Sequence, residues 1–329
     1  MSTLYDVTGI GNAIVDVFSR TDDATLSRLD MPKGGMTLID QEKAQALYAQ
    51  LGPATEVSGG SVANSMAGVA CLGGRAAYIG KVRSDQLGEV FAHDIRAAGV
   101  AFQSRAADTG PSTARCLVLI TPDGQRTMNT YLGACVELGP DDIDETLIAQ
   151  SAVTYLEGYL WDPPRAKEAL LRAAQLAHKH GRKVALSLSD AFCVDRHRDE
   201  LSRLLDDHVD ILFANESEAL SLTHAANYDA ALQALKGRAE QCVVTRGAGG
   251  ASVLTKDALH HVPSDPVAHV VDTTGAGDLF AAGYLYGITH GKSLTEALQL
   301  GALAAAEIIS HVGARPEANL ATLARARGL

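Results

Sequence analysis

Apolar residues dominate Tyr5–Ile10, and Ala13–Phe18 resumes an extended pattern, so two strands are predicted on either side of Gly11-Asn12. The chain is irregular from about Thr21 to Ile39, and helical spacing returns from Gln41 to Leu51. Gly59-Gly60 precedes a run of small residues, Val62 to Cys71, that reads as a closely packed helix; Ala76–Ile79 reads as a strand and Ser84–Gly88 as a cap and helix start. From Val100 to about Asn129 short strands are separated by turns at Asp108-Thr109-Gly110-Pro111 and Pro122-Asp123-Gly124, as in a small antiparallel element. After Asp141 strands alternate with helices: Ala152–Leu156, a helix from about Arg165 to His180, Val184–Leu188, a helix from about Arg198, and Asp210–Phe213. Val270 and Val271 read as the end of a strand, Gly275 and Gly277 as a tight turn, and Leu279–Ile288 and Ser293–Ile309 as helices. The predicted class is α/β, a mainly parallel sheet with helices on both faces.

Composition narrows what such a fold does. At 329 residues and 47% hydrophobic content the chain can bury a substantial core, and no repeat, low-complexity tract or linker divides it. A net charge of −11, from 28 basic and 39 acidic residues, argues against nucleic acid as a partner, and no apolar run reaches the length of a membrane span. Five cysteines, widely spaced and without C-x-x-C, fit neither a disulfide framework nor a zinc site. Adjacent His260 and His261 point to opposite faces of a strand and cannot form a metal pair. With no signal-peptide pattern at the start, a soluble cytoplasmic protein is expected.

Candidate chemistry centres on Val271-Asp272-Thr273-Thr274-Gly275-Ala276-Gly277-Asp278. A glycine turn leading into a helix presents unpaired N–H groups and the positive end of the helix dipole, which suits a phosphate or an oxyanion. Asp278, in the first turn, stands close enough to take a proton from an attacking hydroxyl; capping alone also explains an Asp there. Asp16 can accept from two adjacent hydroxyls, or cap a loop. Gly80-Lys81 does not belong to a phosphate loop, since Arg75 and Val82 occupy the places of its Gly and Ser or Thr. Asn215-Glu216-Ser217-Glu218 lies past a parallel strand's carboxyl end, where ligands bind, although Glu216 and Glu218 also favour a helix start.

The Asp272–Asp278 segment matches every fixed position of D-T-x-G-A-G-D, the C-terminal signature of the ribokinase-like (PfkB) carbohydrate kinases. Gly59-Gly60 and Asn64 resemble that family's G-G-x-x-x-N, Asn215 and Glu218 its N-x-x-E, and Thr245-Arg246-Gly247 its T-x-G turn. The resemblance spans essentially the whole chain. It implies one ribokinase-like unit: an α/β core (about 1–20, 40–99 and 130–329) with a small β-sheet lid (about 21–39 and 100–129). It implies Asp278 as catalytic base, an anion hole at Gly275, Ala276 and Gly277, and Arg126 reaching the transferring phosphate. The sugar is then held by Asn12, Asp16, Gly59, Gly60 and Asn64. ATP lies along Thr245, Arg246, Gly247 and Gly249, Mg²⁺ is organised by Asn215 and Glu218, and a monovalent cation such as K⁺ sits near Asp272 and residues 311–313.

Three segments resemble the adenosine kinase branch: Tyr155–Tyr159, Leu186–Phe192 and Val209–Glu218. By that resemblance Tyr159 and Phe192 enclose a base, Cys116 lies beside the sugar and Met36 stands at the lid edge of the base pocket. Met36, Arg115, Glu157 and Trp161 depart from the residues expected there; Glu157 reads either as an acceptor for a base N–H or as a surface charge. The expected activity is ATP-dependent phosphorylation of a ribonucleoside 5′-hydroxyl, adenosine first. The alternatives are guanosine or inosine, a free sugar such as ribose, or a non-catalytic sugar or nucleotide sensor. A monomer or homodimer acting on a small molecule is expected.

Overall fold

The computed structural model describes residues 3–123 and 125–329. Its larger sheet runs, edge to edge, Leu259–Val262, Ala251–Leu254, Gln241–Thr245, Ile211–Asn215, Lys183–Ser187, Ser151–Glu157, Tyr5–Ile10, Ala76–Ile79 and Ala101–Phe102. Pairing is parallel from Gln241–Thr245 to Ala101–Phe102 and antiparallel at the other edge. The central strands are apolar on both sides because helices cover both faces. One apolar cluster holds the helices Ser61–Cys71, Ala276–Thr289 and Leu294–Ile308, and the other holds Pro164–Lys179 and Ala191–His208. Among the described residues no helix is long and apolar enough to cross a membrane.

A second sheet has the order Met36–Leu38, Arg126–Tyr131, Ala114–Ile120, Ile14–Arg20, Ala54–Gly59. Its membership corrects the expected boundaries. Ile14–Arg20 and Ala54–Gly59, placed by the sequence in the core, belong here, whereas Ala101–Phe102 joins the larger sheet beside Ala76–Ile79. The burial of Ile14–Arg20 explains the first case: Val15, Val17 and Ser19 are buried while Asp16 and Phe18 are covered only in part, the alternation of a sheet with one face on the core. The segment expected to be irregular, 21–39, contains a helix, Asp23–Arg28, with Asp22 as its cap, and the edge strand Met36–Leu38. Gly124, in the second expected turn, lies outside the described residues.

Two further expectations are corrected. Val270 and Val271 form no strand; both are exposed, and the Val271 amide donates to Ile309 O at 2.8 Å. The helix expected from Arg198 begins at Ala191, with Asp190 accepting from the Cys193 amide and an irregular turn at His197 (φ −125°).

Candidate active site

The carboxyl ends of the parallel strands converge on one edge, and the first to contribute is Tyr5–Ile10, followed by Asn12. Helix Ser61–Cys71 lies close against this strand: a Cβ on Gly9 would come within 2.5 Å of Val62 Cγ1. The chain enters that helix through Gly60 at φ +98°, where any side chain would also collide with the Asn12 carbonyl. Glu157, at the end of its own strand and 1% exposed, holds both parts. One carboxylate oxygen accepts from Asn12 Nδ2 at 2.5 Å and the other from the Val62 amide at 3.1 Å. Burial pushes the Glu157 carboxyl up to about 7, against these two bonds. Glu157 is therefore not a surface charge but a buried link between Asn12 and the start of helix Ser61–Cys71.

Across the site, Gly275 adopts the left-handed conformation (φ +78°) and starts helix Ala276–Thr289. Asp278 faces back toward the first helix. Its Oδ1 accepts from Ser61 Oγ at 2.6 Å and its Oδ2 from Asn64 Nδ2 at 3.0 Å. Burial raises the Asp278 pKa, while Ser61, Asn64 and the positive charge of Arg315 oppose the rise. Asn64 Oδ1, buried, has no hydrogen-bond partner and is ready to accept a hydroxyl.

Asp16 and Cys116 stand opposite each other on paired strands of the second sheet. Burial pushes Asp16 up to about 7; Arg315 and Arg126 pull it down and Asp278 adds to the rise. Gly59 leaves the room that the Asp16 carboxylate fills, since a Cβ there would overlap it. Cys116 is pushed up to about 12 by burial and by Asp16, so it is a packing thiol beside that carboxylate. Arg126 lies over Phe18, 5.5 Å from the ring centre, with Nη2 2.7 Å from Asp272 Oδ2 and Nη1 donating to Thr274 Oγ1 at 3.3 Å. The Asp272 carboxylate also accepts from the Thr274 and Gly313 amides.

On the outer side of the Gly275 turn is a cleft of about 480 Å³. Thr245, Gly247 and Gly277 line it at one end and Val267, Ala305 and Ile309 contribute apolar walls. A Cβ on Gly277 would meet nothing within 4 Å, so the backbone there is open to approach. Arg246 and Gly249 are not among the lining residues; the Arg246 guanidinium pairs with Glu216 at 3.2 Å and covers the Tyr228 ring. The sequence-based assignment of those two residues to the nucleotide finds no support in this geometry. Asn215 and Glu218 form a reciprocal cap, Asn215 Oδ1 accepting from the Glu218 amide and Glu218 accepting from Asn215 N and Nδ2. Tyr159 donates its hydroxyl to Ser189 O, whereas Phe192 is 76% exposed and Met36 53% exposed.

Sequence reasoning missed Ser61 and Arg315. Ser61 directly follows Gly59-Gly60, so its position beside the glycine pair was the available signal. Arg315 bonds to main-chain oxygens, which no side-chain pattern encodes.

A profile described as pfkB family carbohydrate kinase matches residues 36–320. The adenosine kinase of Sinorhizobium meliloti is 53% identical, with 98% of this chain and 99% of that one covered and a TM-score of 0.91. A probable sugar kinase protein from Rhizobium etli CFN 42 is 50% identical, covering 99% of both chains with a TM-score of 0.92. The adenosine kinase of Saccharomyces cerevisiae is 28% identical over 328 residues, 92% of this chain and 94% of its own. These likenesses agree with the two-sheet fold and make the protein an ATP-using phosphotransferase with a hydroxyl acceptor. The chain belongs to the pfkB family of carbohydrate kinases.

Proposed function

We propose that the protein phosphorylates the 5′-hydroxyl of a ribonucleoside, adenosine foremost, with ATP as donor. The observation that carries this reading is the convergence of Asp278, Ser61, Asn64 and Asp16 at the mouth of the Gly275 turn. Asp16 accepts from the ribose hydroxyls, Asn64 Oδ1 accepts from one of them, and the ionised Asp278 takes the proton of the attacking hydroxyl. The amides of Gly275, Ala276 and Gly277 face the charge that builds on the transferring group. Arg126, paired with Asp272 here, turns toward that same charge during transfer. The half-buried Tyr159 and the open face of Phe192 suit a flat base, and the 53% identical Sinorhizobium meliloti relative is an adenosine kinase.

The donor cleft fits ATP, with apolar walls for a base and an open glycine turn for phosphates. When bound, Mg²⁺ neutralises phosphate charge. Among the described residues no cluster of three or more His, Cys, Asp or Glu is arranged to hold a metal, and Glu218 is engaged with Asn215, so this pair fits a role through the ion's waters. A monovalent cation near Asp272 and residues 311–313 requires Arg126 to leave the carboxylate it pairs with here.

The 50% identical sugar kinase relative keeps a second reading in view, a free sugar as acceptor. A panel of adenosine, guanosine, inosine, cytidine, ribose and fructose 6-phosphate with ATP and Mg²⁺ separates the two. Stacking contributes roughly 1–3 kcal/mol per base, so kcat/KM for adenosine is expected to exceed that for ribose at least about tenfold. Equal or faster turnover of ribose or the sugar phosphate would replace the nucleoside reading; preference for guanosine or inosine would point to a base pocket altered at Met36.

A further inference from the structure

Arg315 directs a guanidinium into the acceptor half of the site without pairing directly with a carboxylate. Nε and Nη2 donate to Ser58 O at 3.1 and 2.9 Å, Nη2 also donates to Ser58 Oγ at 2.9 Å, and Nη1 donates to Ala63 O at 2.7 Å. Asp94, Asp16 and Asp278 act on it only through space. Ser58 is the last residue but one of strand Ala54–Gly59 in the second sheet, and Ala63 lies in the first turn of helix Ser61–Cys71. The planar fork thus spans the elbow carrying Gly60, Ser61 and Asn64. Asp94 holds the elbow from its other side, accepting from Ser58 N at 2.8 Å and Ser58 Oγ at 2.6 Å.

The residues just before Arg315 grip the opposite half of the site. Gly313 N donates to Asp272 Oδ2 at 3.2 Å, and a Cβ on Gly275 would come within 3.1 Å of Ala314. Three successive residues therefore tie the anion turn to the elbow whose Ser61 and Asn64 bind the Asp278 carboxylate. We propose that Arg315 is a positioning residue for phosphoryl transfer, fixing the Ser58–Ala63 elbow against the Gly275 turn so that Ser61 and Asn64 aim Asp278 at the acceptor hydroxyl. The assignment rests on Asp278 being the base. A Lys keeps the charge but, as a point donor on a flexible stem, cannot hold both carbonyls in one plane. The charge has its own effect: Arg315 favours ionised Asp278 in a site that also holds Asp16, Glu157, Glu218, Tyr155 and Tyr159.

The test compares wild type, Arg315→Gln, Arg315→Lys and Asp278→Asn by thermal melting, ATP affinity and the pH profile of kcat with adenosine. Misplacement of reacting groups by about 1 Å costs on the order of 10²-fold, so Arg315→Gln is expected to lose kcat on that scale while ATP affinity stays near wild type. Its acid limb should move to higher pH, whereas Arg315→Lys should restore the limb but only part of kcat. Wild-type kcat and limb in Arg315→Gln, with Asp278→Asn inactive, would overturn the positioning role alone. An active Asp278→Asn would remove the base reading and this inference with it. Failure of both Arg315 variants to fold would also overturn it, by making the arginine a scaffold residue.

Discussion

At the residue scale the site depends on carboxylates that are expensive to ionise. Asp278→Asn retains the shape of the side chain and loses the base, so kcat is expected to fall by about 10²–10⁴ with fold and nucleotide affinity preserved. Steady-state kinetics and nucleotide titration check this, and wild-type turnover would exclude Asp278 as base. On the proposed roles, acceptor binding and chemistry need Asp16 and Asp278 as anions, and both are raised, Asp16 to about 7. Thus kcat/KM should decline as pH falls through about 7; a flat profile down to about pH 5.5 would contradict the assignment. Glu157 gives a stability signature instead. Its folded pKa, about 7, lies above the ordinary 4.5, so its contribution is present below about pH 4.5 and is lost as pH rises through about 7. That interval corresponds to roughly 3 kcal/mol. Urea denaturation at several pH values should show Glu157→Gln lacking this part of the decline. An unchanged pH dependence would mean that Glu157 does not titrate there.

At the element scale the site is held by helices that approach one another through glycine. A Cβ on Gly68 would lie 2.6 Å from both Ala282 Cβ and Leu279 Cδ1, and one on Gly283 would meet the Leu300 backbone. Helix Ala276–Thr289 cannot shift away without moving Asp278. Gly283→Ala is therefore expected to destabilise by about 1–3 kcal/mol, the usual cost of overpacking, and to reduce kcat at temperatures where the protein stays folded. Chemical denaturation and activity assays on the same preparation would show it; a stability equal to wild type would mean that the helix pair yields freely. These helices and the central strands were legible in the sequence because apolar runs and small-residue spacing depend on local geometry. Which sheet a strand joins was not. The alternation in Ile14–Arg20 fixes which side chains share a face but says nothing about the neighbouring strand, and a two-residue strand such as Ala101–Phe102 carries almost no pattern.

Across the whole molecule, the second sheet brings Asp16, Cys116 and Arg126 to a site whose proposed base, Asp278, and proposed donor cleft belong to the larger sheet's side. Motion between the two would exclude water as a competing acceptor. Substrate with a non-hydrolysable ATP analogue should then slow amide exchange in Met36–Leu38 and Arg126–Tyr131, and Arg126→Ala should reduce kcat more than it weakens ATP binding. Unchanged exchange in both strands would rule out closure by this sheet. The motif residues of the site were readable from local sequence, Gly59 to Asn64 and Asp272 to Asp278 above all. The brace between them was not, because Arg315 and Ser58 are 257 positions apart and meet only in the fold.

That separation bears on how the enzyme comes into being. Ser61 finds Asp278 217 residues later, and Arg315 then reaches back to Ser58 and Ala63. During synthesis the Ser58–Asn64 elbow is made well before its proposed base, Asp278, and its proposed brace, Arg315. A nascent chain stopped before residue 278 carries Asp16 and Asn64 without the proposed proton acceptor, and one stopped before 315 lacks the arginine that spans the elbow. Such long-range closure is slow relative to local helix formation, so the central strand Tyr5–Ile10 must wait for Ser151–Glu157 to cover its second edge. On the proposed roles, phosphoryl transfer at this site waits until residues 278 and 315 have both been made and have met the Ser58–Asn64 segment.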